Sequence, residues 1–280
     1  MIGGTASTAG PALAERAVDT RPGGALRSLG EVGRLTLQTA RLALTPPFPW
    51  WRDAVVEFAT AFRRCAAPIV LSMVVFAAGI AVLFVGQIID TLGTPDRLNG
   101  ALTIGFMREP AVWVTSMVFA GVAGSAMTAD LGARRIRDEL DALTVLGMDI
   151  TRSLVVPRVI ALVLVAPVLG LLTLSVAYAV DYVLVPLFYP SVTYAGQAEI
   201  MDKYLYTFDL VFLFVKLPIV GLLVGIVACH KGLTTKGGAE GVGRSVNQAV
   251  VTMFLGLWLV NGIVNTGYLA LFPSVQELRG

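Results

Sequence analysis

Residues 66–89 read AAPIVLSMVVFAAGIAVLFVGQII, a run without a single charge. A helix crossing a bilayer needs roughly 20 consecutive apolar residues, and this run supplies them without interruption. Working outward, four more stretches of the 280-residue chain meet the same requirement, at 110–129, 159–185, 208–229 and 245–272. The second is uncharged and contains Gly121, Gly124, Ser125 and Ala126, small residues that let helices approach closely. The third carries Pro167 and continues past Asp181, and the fourth holds one charge, Lys216, between Leu210 and Cys229. The expected fold is all-α: a polytopic membrane protein with five transmembrane helices.

Composition agrees. The chain is 56% hydrophobic and 14% charged, with a mean hydropathy of +0.76, whereas soluble domains run at about 45–50% apolar and about 25% charged. Disorder, a disulfide scaffold and most soluble enzymes are excluded. A net charge of +2 is too mild to point to nucleic acid. Cys65, Cys229 and the lone His230 cannot build a disulfide framework or a Cys/His metal site. No H-E-x-x-H or G-x-S-x-G string occurs. His230 therefore lacks catalytic partners, and Cys229 reads as a small apolar residue at a helix end.

Upstream of the first span, residues 1–30 are rich in Gly, Ala, Thr and Arg and read as a flexible cytoplasmic tail with no cleavable leader. Residues 31–64 read as amphipathic helices lying in the membrane interface. Leu29, Val32, Leu35, Thr39 and Leu42 fall at helical spacing, and Thr45-Pro-Pro-Phe-Pro49 ends that helix. Trp51, Val55, Phe58 and Phe62 then share a face, with Arg52, Asp53, Glu57, Arg63 and Arg64 elsewhere. A helix packed on a soluble partner would show the same pattern. Residues 65–280 form the membrane domain.

Lysine and arginine orient the chain, because cytoplasmic segments collect them. With the amino terminus inside, sixteen of the twenty-one basic residues fall on inner segments. Arg97, Arg108, Lys203 and Arg279 fall outside, and Lys216 lies within a span. The expected orientation in the plasma membrane is amino terminus cytoplasmic, carboxyl terminus extracytoplasmic.

Two inner loops are distinctive. The first reads Asp130-Leu-Gly-Ala-Arg-Arg-Ile-Arg-Asp-Glu-Leu-Asp-Ala-Leu-Thr-Val-Leu-Gly147. Ala133, Ile136, Leu140 and Leu143 repeat at helical spacing, Asp130 suits a cap and Gly147 a stop, so one helix is expected over 131–146. Arg134/Asp138, Arg135/Glu139 and Arg137/Asp141 are its possible i,i+4 pairs. It is either a solvated connector or a docking helix for a cytoplasmic subunit. The second loop, His230 to Arg244, is glycine-rich but contains no G-x-x-x-x-G-K-[ST] string. Its glycines read as a tight turn against a neighbouring chain, and no nucleotide hydrolysis is built into this polypeptide.

Lys216 is the one charge deep in a span, and such a residue must be paired or face water. Snorkelling, a structural pair and a place in a substrate path are all open to it. Asp209 lies about 10 Å earlier on a similar side at 1.5 Å per residue. Glu109, just before the second span, is the other substrate-path candidate.

The motifs resemble a known family. Arg108-Glu-Pro110, Gly121-Val-Ala-Gly-Ser-Ala126, Ala129-Asp-Leu-Gly-Ala133, Glu139-Leu-Asp-Ala-Leu143, Val145-Leu-Gly-Met-Asp149 and Leu154-Val-Val-Pro-Arg158 are similar to the MlaE/YrbE permeases of MCE-type ABC transporters. Lys216, Gly225-Ile-Val-Ala-Cys229, Lys231-Gly-Leu-Thr234 and Gly237-Gly-Ala-Glu-Gly-Val-Gly243 extend the match. The wording looks most like actinobacterial YrbE subunits of mycobacterial-type envelopes, more the A type than the B type. Asp138, Ile150, Val122 and His230 stand where relatives commonly carry Glu, Pro, Arg and Tyr. The resemblance implies a permease subunit that pairs with a second YrbE-type permease and with extracytoplasmic MCE proteins. Separate ABC ATPase subunits would bind ATP and Mg, with no cofactor in this chain. It implies a lipid substrate: a fatty acid, sterol or phospholipid. Arg134, Arg135, Arg137, Asp138, Glu139 and Asp141 would then couple to the ATPase, and Glu109 and Lys216 would lie near the substrate path. The rival is a passive platform that anchors lipid-binding MCE proteins without energised transport. A membrane enzyme acting on lipid lacks the chemistry.

Overall fold

The computed structural model describes residues 22–94, 98–204 and 207–271, and every regular element among them is helical. Residues 1–21 of the expected tail lie outside the described residues. Helix α1 (Pro22–Leu44) begins inside that expected tail, its chain entering at a proline whose missing N–H costs nothing in a first turn. It ends where Thr45 caps the Arg41 carbonyl at 3.0 Å, before the prolines.

Helix α2 (Trp51–Phe76) runs on through a π-helical stretch, Ala77–Val85, into α3 (Gly86–Thr91). The result is one rod of 41 residues, about 60 Å long at 1.5 Å per residue. The expected division at residue 64 between an interfacial helix and a span is therefore a change of surroundings without a break in the helix. Ala54, Ala61, Cys65, Ile69, Met73 and Ala77 form a single buried stripe across it. Pro68 sits within the helix, as membrane helices tolerate.

After α4 (Leu98–Arg108), the second span comprises α5 (Pro110–Phe119), a π-turn and α6 (Ser125–Ile136). A short α7 (Glu139–Val145) follows. The third span is a π-turn, Thr151–Val155, leading into α8 (Val156–Phe188). Beyond α9 (Tyr194–Tyr204) come α10 (Thr207–Leu233) and α11 (Gly238–Leu271). Five helices are long and apolar enough to cross a membrane. The chain is an all-α polytopic membrane protein.

Helix α8 is the hub, packed against α2 on one side and α10 on another, while α11 leans on α10 and α6. Close approach of α8 and α10 depends on Gly221: a β-carbon there would lie 2.4 Å from the Leu162 carbonyl oxygen. The Thr115 and Thr173 hydroxyls, 2.7 Å apart, tie α5 to α8 in the buried interior. Gly124 packs against Met253 and Val224, whereas Gly121 faces open space. The fifth span is the least covered, with 17% of its most apolar window buried against 50–56% in the second to fourth. Val251, Leu255, Trp258, Leu259 and Ile263 make its exposed face.

The expected single helix over 131–146 divides in two. Residues up to Ile136 continue the second span, so Asp130 lies inside a helix and caps nothing. The break falls at Asp138, whose φ of 58° is left-handed, a region open to Asp through its short polar side chain and closed to longer regular helix. The pairing shifts accordingly. Arg134 meets Asp130 at 3.3 Å, Arg135 meets Asp141 at 2.5 Å and Arg137 meets Glu139 at 2.7 Å, in place of the three expected i,i+4 pairs. Gly147, at φ 79°, does end the segment. The glycine-rich loop makes a tight turn at Gly237 and Gly238, both at positive φ. That turn and α7 share one end of the bundle, here termed the basic end, and α4 and α9 share the other.

Candidate functional site

Near the end opposite the basic one, the two substrate-path candidates come together. Glu109 stands at the amino-terminal edge of α5, where Pro110 opens the helix. Lys216 projects from α10, and the partners come from α11. The Glu109 carboxylate accepts hydrogen bonds from Trp113 Nε1 at 2.6 Å, from Asn261 Nδ2 at 2.9 Å and from Asn265 Nδ2. Lys216 Nζ donates to Asn265 Oδ1 at 2.7 Å and stands 3.9 Å from Glu109. The ammonium is thus bonded inside the bundle and is not carried to the interface. Asp209, the other partner considered for it, lies outside the residues whose side chains are described.

Exposure is asymmetric across the pair. The Lys216 side chain is 3% exposed and that of Glu109 is 38%. The positive member is sealed, and the negative one reaches the surface with its geometry held by three donors. Trp113 packs on Trp258 of α11 with ring centroids 4.2 Å apart. A crevice of about 10 Å³ bordered by Ser116, Lys216 and Asn261 lies beside them, space for no more than one water. Such a site can accept a hydrogen bond from a polar group at Glu109 while the exposed apolar side chains of α11 contact a hydrocarbon chain.

Trp113, Asn261 and Asn265 are absent from the sequence-derived candidates. A usable signal existed, since Asn261 and Asn265 are carboxamides at i,i+4 in an otherwise apolar span. Asp181 on α8 is a second buried polar residue that sequence reading passed over. Its carbonyl accepts from Gln197 Nε2 at 3.0 Å, and neither carboxylate oxygen is hydrogen-bonded.

At the basic end, the structure separates the remaining candidates. Arg135, Arg137, Glu139 and Asp141 pair with one another across the α6–α7 break, and Asp138 is the exposed break itself. Arg134 turns away towards Asp130. Beyond α7 the tip is apolar and open, with Val145 88%, Leu146 76% and Met148 46% exposed. Asp149 accepts from the N–H groups of Thr151 and Arg152, starting the next helix, and Arg152 donates to the Pro47 carbonyl at 2.7 Å. His230 lies 3.4 Å from Glu31, joining α10 to α1.

Comparison with known proteins bears on both ends. Residues 58–266 match the family model described as "Permease MlaE". The chain is 29% identical over 216 residues to the chloroplastic protein trigalactosyldiacylglycerol 1 of Arabidopsis thaliana, covering 77% of this chain and 61% of that one. It is 37% identical over 173 residues to a "probable ABC transporter permease protein" of Synechocystis, covering 60% and 64%. A Rickettsia bellii protein of the same description is 23% identical over 240 residues, covering 85% and 91%. The matched region thus spans a little under two thirds of the first two relatives.

Proposed function

Because this chain belongs to the MlaE permease family, we propose that it is the membrane subunit of an ABC transporter that moves a lipid-class substrate across a cell envelope. The observation that carries the reading is the Glu109–Lys216–Asn265 cluster. It sets one exposed, firmly held carboxylate beside the uncovered apolar face of α11, an arrangement suited to an amphiphile with a polar head and an acyl or sterol body. The relative named for trigalactosyldiacylglycerol supports a lipid substrate, and the relatives described as ABC permeases support separate ATPase subunits that bind ATP and Mg. In this reading α11 faces a second permease, so that the substrate cavity forms between two chains. MCE proteins receive or deliver the lipid on the extracytoplasmic side. An actinobacterial YrbE subunit of the A type remains the subtype favoured by the motifs.

At the basic end, α7 and its exposed Val145–Met148 tip serve as the coupling element. An apolar knob flanked by charged pairs suits insertion into a groove of an ATPase, where partly desolvated charges set the register. Closure of the ATPases would move α7, and through α6 the second span that carries Glu109.

The test is Lys216→Met, which keeps the stem and removes the charge. Glu109 is 38% exposed and can take up water once the charge is gone, so the loss stays below the about 3–5 kcal/mol of a fully buried pair, while Asn265 must find a new donor. The expected outcome is a chain that still assembles with its ATPase but loses lipid-stimulated ATP hydrolysis at least tenfold. Assembly failure would make the cluster structural only. Wild-type stimulation would remove it from the substrate path.

A further inference from the structure

At the basic end, away from the Glu109 cluster, a cavity of about 290 Å³ opens between α2, α6 and α8. Its charged wall is built from Glu57 and Arg64 of α2, Asp130 and Arg134 of α6, and Arg158 of α8. The remaining wall is largely apolar and includes Ala61, Ala126 and Leu162. Three of the five charges stand at the edges of membrane runs, Arg64 just before residue 66, Asp130 just after residue 129 and Arg158 just before residue 159, with Glu57 and Arg134 further out along the same helices. The cavity therefore sits at the depth where lipid headgroups meet hydrocarbon.

Arg158 is the central residue. It is 6% exposed, its Nε donates to Glu57 at 3.1 Å and its Nη2 donates to Asp130. Its Nη1 is buried with no hydrogen-bond partner. A guanidinium donor taken out of water and left unbonded is unfavourable, and charged donors more so than neutral ones. Asp130 is already shared with Arg134 at 3.3 Å. Arg64 is exposed at the cavity edge and forms none of the ion pairs found among the described residues. Three guanidiniums against two carboxylates leave one positive charge to be met.

We infer that this cavity is a binding site for a single oxyanion of the phosphate or carboxylate type, held by Arg158 and Arg64. A lipid headgroup and free phosphate share that chemistry. The apolar part of the wall and the headgroup-level position favour the lipid, whose first chain carbons would lie along Ala61, Ala126 and Leu162. The site does not depend on the transport reading, since it needs neither ATP nor a partner chain. Its occupant would bridge α2, α6 and α8, of which α6 and α8 flank α7 in the chain.

Native mass spectrometry of the full chain in detergent tests this, with phosphatidylglycerol, uncharged diacylglycerol and inorganic phosphate as separate probes. Arg158→Gln would take Glu57's ion-pair partner away, so the test uses a residue outside the ion-pair network. Arg64→Gln breaks no ion pair and is the deciding variant, with unchanged elution and melting temperature as its fold control. The expected result is saturable binding of one phosphatidylglycerol and none of diacylglycerol. That binding should weaken about tenfold in Arg64→Gln, the effect of one charge-assisted hydrogen bond, and recover in part in Arg64→Lys. Phosphate binding or competition with the same dependence on Arg64 would also support the site, with the free anion as its occupant. Equal binding of phosphatidylglycerol and diacylglycerol, or phosphatidylglycerol and phosphate binding that ignore Arg64→Gln, would overturn it.

Discussion

Asp138 holds φ at 58° between α6 and α7, in a region that a β-carbon makes unfavourable by about 1–2 kcal/mol. Its side chain makes no capping bond to α7, so nothing local repays that cost beyond what Asp tolerates by itself. Asp138→Gly should therefore leave stability unchanged or raise it by up to about 1 kcal/mol. A β-branched Asp138→Val should lower it by about 1–2 kcal/mol. Thermal unfolding of the two purified variants in one detergent measures the difference, and equal midpoints would show that the break does not exist in solution. Glu109 and Lys216 illustrate the opposite case, in which partners on other helices repay the cost of a charge.

The proposed coupling element, α7, is joined to α6 by two exposed ion pairs across the break. Exposed pairs of this kind contribute about 0–1 kcal/mol each, so they do not hold the fold together and are free to exchange partners on docking. Reversing both acidic charges, Glu139→Lys with Asp141→Lys, should leave the permease folded in the membrane but weaken ATPase co-purification tenfold or more, or uncouple hydrolysis from transport. Normal assembly and transport in the double variant would make α7 a solvated connector. Helical periodicity exposed most of these elements in the sequence, because a membrane span announces itself by length and absence of charge. All five spans and the end of α1 at Thr45 were legible that way. The break at Asp138 was not, since Ala133, Ile136, Leu140 and Leu143 keep helical spacing through it. Nor was the continuity of α2 through residue 64, where polarity changes while the buried stripe from Ala54 to Ala77 does not. Glu109 and Lys216 were legible as costly charges, but their asparagine partners lie 49–156 residues away in sequence, and periodicity carries no information about contacts at that range. The Arg158 contacts with Glu57 and Asp130 escaped for the same reason.

At the scale of the whole molecule, orientation decides what each site can meet, and the charge distribution predicts it. Among the described residues, the basic residues of the 34–64, 130–158 and 230–244 segments gather at the basic end, where α7 and the Arg158 cavity lie. The Glu109 cluster lies towards the other end. If the positive-inside bias governs, α7 faces the ATP-containing compartment and Glu109 the compartment of the extracytoplasmic proteins. The reverse orientation would place the coupling element where no nucleotide is available, and the transport reading would fail with it. The chain offers a clean way to decide, because Cys65 and Cys229 are both fully buried and a buried thiol reacts slowly. Single cysteines introduced at the exposed positions Thr91 and Ser191 should be labelled by a membrane-impermeant maleimide added to intact cells. Cysteines at Ala142 and Ala239, exposed at the basic end, should react only after the membrane is opened. Each position follows one of the first four expected spans, so alternating labelling tests those crossings as well as direction. Labelling of Ala142 and Ala239 in intact cells, with Thr91 and Ser191 protected, would invert the molecule. Labelling of Thr91 and Ser191 from opposite sides would mean that the helices between them do not cross the membrane an even number of times, and the five-span path would be wrong.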